Sequence, residues 1–227
     1  MEHPVRIAKV RAVTKQVIQN LRSDARDNRE RILEAARVAF AAEGLDVPMR
    51  EIARRAGVGA ATLYRRFPTK EALLTEAFAE QMTACNAIVE EGLAAADPWQ
   101  GFCLVIEKVM VLHALDRGFT DAFTSRFPRA IDFGTARDHA LRLLLTLIAR
   151  AKESGELRAD LVLDDVVLAL MANSGIRTES RAATVAASRR FAALMIQSFR
   201  TQPIPSPLPQ AVRLPLTVGA STVHRVR

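Results

Sequence analysis

The chain has 227 residues, 49% of them apolar, with 32 Lys and Arg against 25 Asp and Glu, enough to bury a sizeable core in one large domain or two small ones. The formal excess of +7 sits at one end: residues 1–70 hold 15 basic and 8 acidic side chains and residues 71–227 hold 17 of each, which points that end alone at a polyanion. No apolar run approaches the ~20 residues of a membrane span, and no continuous apolar segment follows the basic N-terminus as a secretory signal requires, so the expectation is a cytoplasmic protein with no membrane partner.

Residues 1–26 form a basic N-terminal extension in which Ile7, Val10, Val13, Val17 and Leu21 recur at three- and four-residue steps. It reads either as an arm that touches phosphates or the minor groove, or as a frayed extension. Asp27 or Asn28 is expected to cap a first helix that turns Ile32, Leu33, Ala36 and Phe40 inward and ends at Gly44. From Pro48 to Lys70 two short helices follow, joined by a tight turn. In the first, Ile52, Ala53 and Ala56 share one face and Arg50, Arg54 and Arg55 the opposite one, with Gly57 as terminator. The second spans roughly Ala60–Arg66, buries Leu63 with Phe67, and leaves Thr62, Tyr64, Arg65 and Arg66 outward until Pro68 stops it. This is the form of a helix-turn-helix DNA reader. The string Gly57-Val58-Gly59-Ala60-Ala61-Thr62 fails as a phosphate loop, because an Arg-rich helical pattern and no strand precedes it.

Within Arg29–Phe78 the pieces ILEAA, FAAEG, IA-x-x-AGV, TLY-x-x-F and K-x-AL occur in order. On these motifs the segment resembles the DNA-binding domain of the TetR family of bacterial transcriptional repressors. One departure is that Gly59, Ala60 and Ala61 open the second helix with small side chains where relatives often carry larger polar ones. The resemblance implies an all-α fold, with an N-terminal three-helix helix-turn-helix domain (27–70) before a larger helical dimerisation and ligand-binding domain (71–200). It implies double-stranded DNA as partner, met by Arg50, Ala60, Ala61, Thr62, Tyr64, Arg65 and Arg66. Lys70, at the start of a further helix, is expected to add its charge to that helix's positive end and hold a phosphate.

That further helix, capped by Thr69, is expected to run through about Glu91, with Leu73, Leu74, Ala77, Phe78, Met82 and Cys85 on one stripe. Trp99 to Asp116 gives another, broken at Gly118 and followed by a short aromatic helix from Phe119 to Phe127, with a turn at Asp132–Gly134. Thr135 to Glu153 turns Leu141, Leu144, Leu145 and Ile148 inward and leaves Arg137, Arg142 and Arg150 in water. Asp164–Gly175 and Glu179–Arg200 close the domain; the last is apolar on most sides, which suits a subunit interface. Val167, Met171, Phe191, Leu194, Met195 and Phe199 are its candidate residues, and in the family resembled the last two helices pair across a two-fold axis. Residues 201–227, rich in proline, read as a disordered tail.

Trp99, Phe102, Ile106, Met110, His113, Phe119, Phe123 and Met171 are large, soft side chains that either line a pocket or build a plain core. The resemblance favours a pocket for a small apolar inducer, although His113 on an apolar stripe is also the pattern of a core histidine. Cys85 and Cys103 are too few for a zinc or disulfide framework and read as small hydrophobes, with thiol sensing as the alternative. Neither His113 with Asp116 nor Asp138 with His139 makes a metal-ligand set, and no catalytic motif occurs, so no cofactor, metal or enzymatic activity is expected. The implied function is ligand-responsive repression by a homodimer on a palindromic operator. The alternatives are an activator or a ligand-independent DNA-binding protein, with an enzyme as a remote third.

Overall fold

The apolar stripes of the first third converge on one small core. In the computed structural model, which describes residues 26–124, 131–202 and 210, a first helix α1 (26–43) leads into α2 (Met49–Arg55) and α3 (Ala60–Arg66). Ile32, Leu33, Ala36 and Phe40 of α1 share a buried cluster with Ile52 and Ala53 of α2 and Leu63 of α3. Burying each large member contributes on the order of 2 kcal/mol. The helix is already formed at residue 26, so Asp27 and Asn28 lie within it and cannot serve as its cap. The extension before it and nearly all of the Pro-rich tail lie outside the described residues.

Thr69 does cap the next helix, its hydroxyl accepting from the Ala72 amide at 3.1 Å. The stripe expected to run unbroken to Glu91 is, however, split in two. Phe78, with φ −112° and ψ 14°, separates α4 (Lys70–Ala77) from α5 (Ala79–Leu93). Its fully buried ring meets Phe40 at 6.1 Å and Phe119 at 6.0 Å between centroids, so packing on two sides pins the break. Helices α6 (Pro98–Leu115), α7 (Arg117–Thr124), α8 (Ile131–Glu153), α9 (Leu163–Ser174) and α10 (Arg181–Phe199) complete the body. Among the described residues there is no strand, only an isolated antiparallel bridge between Leu157 and Arg200, and no helix is long and apolar enough to cross a membrane.

Helices α5 and α6 cross at a glycine pair. A Cβ on Gly101 would stand 2.1 Å from the Gly92 carbonyl oxygen, and one on Gly92 would stand 2.3 Å from Val105 Cγ2. The break after α6 falls at Asp116, not Gly118: the Asp116 carboxylate accepts from the Phe119 amide and from Gln81 Nε2, both at 2.9 Å. Gly118 lies inside α7 because a Cβ there would be 3.0 Å from Phe78 Cζ and 3.1 Å from the Ala41 nitrogen. Its absence lets α7 rest on α1.

Residues 132–134, expected as a turn, belong to α8, while Phe127 and Pro128 lie outside the described residues. The buried stripe of α8 is Ala140, Leu144, Leu147, Ile148 and Ala151; Leu145, expected inside, is 47% exposed although it stands one turn before Ile148, at the edge of that stripe. Arg150, expected in water, is half-buried and donates to the Leu93 carbonyl at 2.7 Å, closing the end of α5. Asn173 of α9 donates to the Met110 carbonyl at 2.7 Å and accepts from Ser188 of α10 at 2.9 Å, a buried polar tie between three helices.

Candidate nucleic-acid interface

The α2–α3 turn is built from backbone bonds. The Gly57 amide donates to the Arg54 carbonyl at 3.2 Å and the Val58 amide to that of Ala53 at 3.0 Å. Gly57 holds φ at +65°, a region that glycine enters without the Cβ penalty. α3 then starts from Gly59 with no side-chain cap, and its first two residues, Ala60 and Ala61, are exposed. Leu63 and Phe67 anchor it at 0% and 1% exposure, so Tyr64, Arg65 and Arg66 are turned outward and Thr62 is half-buried.

The charges on this surface are of two kinds. Glu51 accepts from Arg54 Nε and Nη2 at 2.8 and 2.7 Å and from Arg55 Nε at 2.8 Å. Those bonds, from Arg54 first and Arg55 next, hold its carboxyl down to about 2, so both guanidiniums are engaged by a carboxylate of their own helix. Arg55 also pairs with Glu43. The i, i+3 and i, i+4 spacing of Glu51 to these arginines was the signal for this pairing. By contrast, Arg50, Arg65, Arg66 and Lys70 make no salt bridge among the described residues; Arg65 reaches only the Thr62 hydroxyl, at 3.5 Å. Lys70 opens α4 half-buried, and burial pushes its ammonium pKa below the ordinary value, against the pull of Asp46 and Glu71.

The pocket candidates divide. Trp99, Phe102, Ile106, Met110, His113, Phe119 and Phe123 are all buried, but Met171 stands 53% exposed on α9. Of these, Ile106 and Phe123 line a narrow crevice of about 20 Å³ among α5, α6, α7, α8 and α9, walled wholly by apolar side chains. Trp99 and Phe102 stack together with centroids 5.9 Å apart and belong to the packed core. The interface candidates divide too. Leu194 and Met171 are exposed, and Phe191 and Met195 half-buried beside an open groove of about 580 Å³ between α9 and α10. Val167 faces the crevice, and Phe199 is 8% exposed against Phe102. Burial pushes the thiols of Cys85 and Cys103 up to about 12, far from the thiolate that redox chemistry needs.

An all-α chain with an outward reader helix beside arginines that make no salt bridge among the described residues is a helix-turn-helix DNA-binding regulator. Residues 32–77 match the family described as "Bacterial regulatory proteins, tetR family". Over 153 residues the chain is 31% identical to the HTH-type transcriptional repressor KstR of Mycobacterium tuberculosis, covering 64% of this chain and 70% of that one. It is 32% identical over 134 residues to the KstR of Mycolicibacterium smegmatis, covering 58% and 66%. The ketosteroid transcriptional regulator KstR2 of Mycobacterium tuberculosis shares the fold, with a TM-score of 0.59 at 17% identity over 77% of this chain and 95% of that one. The chain belongs to the TetR family of bacterial transcriptional regulators.

Proposed function

We propose that the chain represses transcription as a homodimer on a palindromic operator and releases it when a small apolar molecule enters the second domain. The observation that carries the reading is the outward row of α3: Tyr64 at 49% exposure, flanked by Arg65 and Arg66, neither of them in a salt bridge among the described residues. Thr62 and Tyr64 meet backbone and base edges, Ala60 and Ala61 offer only methyls, and Arg50, Arg65 and Arg66 meet phosphates. Lys70 joins its charge to the N-terminus of α4 and holds one phosphate more. The relatives named as repressors, at 31% and 32% identity, support repression over activation.

Two heads fit successive major grooves on one face only if held about 34 Å apart or a multiple of it. The exposed apolar row of Leu168, Met171 and Leu194 on α9 and α10 is the surface that fixes that spacing in a pair. Selection from a random duplex library is the test. The expected product is an inverted repeat whose affinity falls with salt at a log–log slope of roughly −5 to −7 for about six to eight neutralised phosphates. Lys70→Ala removes one contact on each of the two heads and flattens that slope by about 2. A single half-site bound with full affinity, independent of salt, refutes the reading.

A further inference from the structure

His113 is fully buried, and its two ring nitrogens are treated differently. Nδ1 lies 3.0 Å from the Thr120 hydroxyl, while Nε2 has no hydrogen-bond partner. The hydroxyl's single proton is drawn to the His113 carbonyl at 2.9 Å or the Asp116 carbonyl at 3.2 Å. Nδ1 is therefore the donor to Thr120, and Nε2 is a bare acceptor. Leaving such an acceptor dry is costly, and native cores seldom do it. Burial pushes the imidazole down to about 3, so the ring stays neutral and Nε2 keeps its lone pair throughout the physiological range.

Among the described residues Nε2 meets no donor, and aromatic rings are its neighbours. The rings of Phe119 and Phe123 lie 4.9 and 5.1 Å from the imidazole, centroid to centroid. Phe123 is the shared wall: it meets His113 at 81° and also lines the apolar crevice. A water placed there needs two to four polar partners and would find one. What satisfies both the lone pair and the walls is a single donor carried on an otherwise apolar body.

We infer that the crevice behind Phe123 is the ligand site and that it selects a neutral, elongated apolar molecule bearing one hydroxyl, which donates to His113 Nε2. This rests on the ligand-responsive reading above and names its chemistry. A carboxylate is rejected, since it would bring negative charge to a lone pair in an apolar wall. A pure hydrocarbon or ether fits the walls but leaves Nε2 unserved. His113 stands behind Phe123, outside the lining of a crevice of about 20 Å³, so this binding requires the Phe123 ring to turn aside.

The probes are 1-dodecanol, its methyl ether and dodecanoate, titrated calorimetrically into the full-length protein. The alcohol is expected to bind about tenfold tighter than the ether or better, a difference on the scale of one hydrogen bond, and dodecanoate weakest. His113→Phe erases the preference while keeping ether binding. On wild type, nitrogen-15 spectra of the histidines should show an unprotonated Nε2 whose resonance moves with the alcohol and not with the ether, a readout needing no variant. Equal binding of alcohol and ether with a still resonance overturns this inference and leaves ligand response standing. Preference for dodecanoate also overturns it. No binding by any of the three overturns both this and the ligand-responsive reading.

Discussion

A charge on the outer face of α10 should separate the pair without unfolding the chain. Leu194 is 40% exposed in the single chain, so Leu194→Asp leaves a carboxylate that water still reaches and costs the isolated fold little. In a two-fold interface each residue recurs on the partner, and one substitution places two charges there. Each unpaired charge at this rim, which water still partly reaches, is taken at roughly 2 kcal/mol, below the ~3–5 kcal/mol of a fully buried one. Two together, about 4 kcal/mol, raise the dimer dissociation constant about a thousandfold. Sedimentation across a nanomolar-to-micromolar range reads this directly, with circular dichroism confirming helix content. Phe199→Asp is the contrast: at 8% exposure and 6.2 Å from the Phe102 ring, it should unfold the body instead of splitting a dimer. A Leu194→Asp protein as dimeric as wild type would refute the assignment of this face.

Gly101→Ala should lower Tm by several degrees, since its Cβ would sit 2.1 Å from the Gly92 carbonyl and force α5 from α6 at about 1–3 kcal/mol; an unchanged melt would refute the crossing. Arg66→Ala, which removes one contact on each of the two heads, should reduce the slope of log affinity against log salt by about 2, whereas Arg54→Ala, whose charge Glu51 already holds, should change it far less; equal effects would show that Arg54 leaves Glu51 for DNA. Gly118→Ala places a methyl 3.0–3.1 Å from Phe78 and Ala41 and should shift operator affinity severalfold with the chain still folded. Filter binding with a melt as control checks it, and unchanged affinity would mean that α7 does not bear on the head.

The head was legible because its determinants are local. Gly57 needs its φ for a turn inside a few residues, and the Leu63–Phe67 pair orients α3 with no help from distant chain. The body was less so, because its decisive contacts join residues far apart. Nothing near Phe78 announces a break; the break comes from rings at positions 40 and 119. Gly118 looked like a terminator by local rules, yet it is a contact surface for α1. The α10 pattern, apolar on most sides, announced burial on several faces but not which face each residue takes. Hence Phe199 was grouped with Leu194 although one is core and the other surface.

The same long-range contacts define where a ligand could act on the head. Phe123 at the crevice touches Phe119 at 5.9 Å, Phe119 touches Phe78, and Phe78 touches Phe40 of α1, so four rings run from the crevice wall to the helix that supports the reader. Contact alone does not make coupling; a two-state element whose balance both sites bias is required. On the proposed ligand-responsive reading, the broken α4–α5 junction at Phe78 is the place for that element, since one residue outside the helical region can absorb a rotation that a continuous helix would resist. A hundredfold relief of repression needs about 2.7 kcal/mol of differential affinity. One hydrogen bond to His113 with the apolar surface freed by Phe123 is of that order. On the proposed reading the ligand need not reach the DNA; it has only to favour one position of α7 against α1.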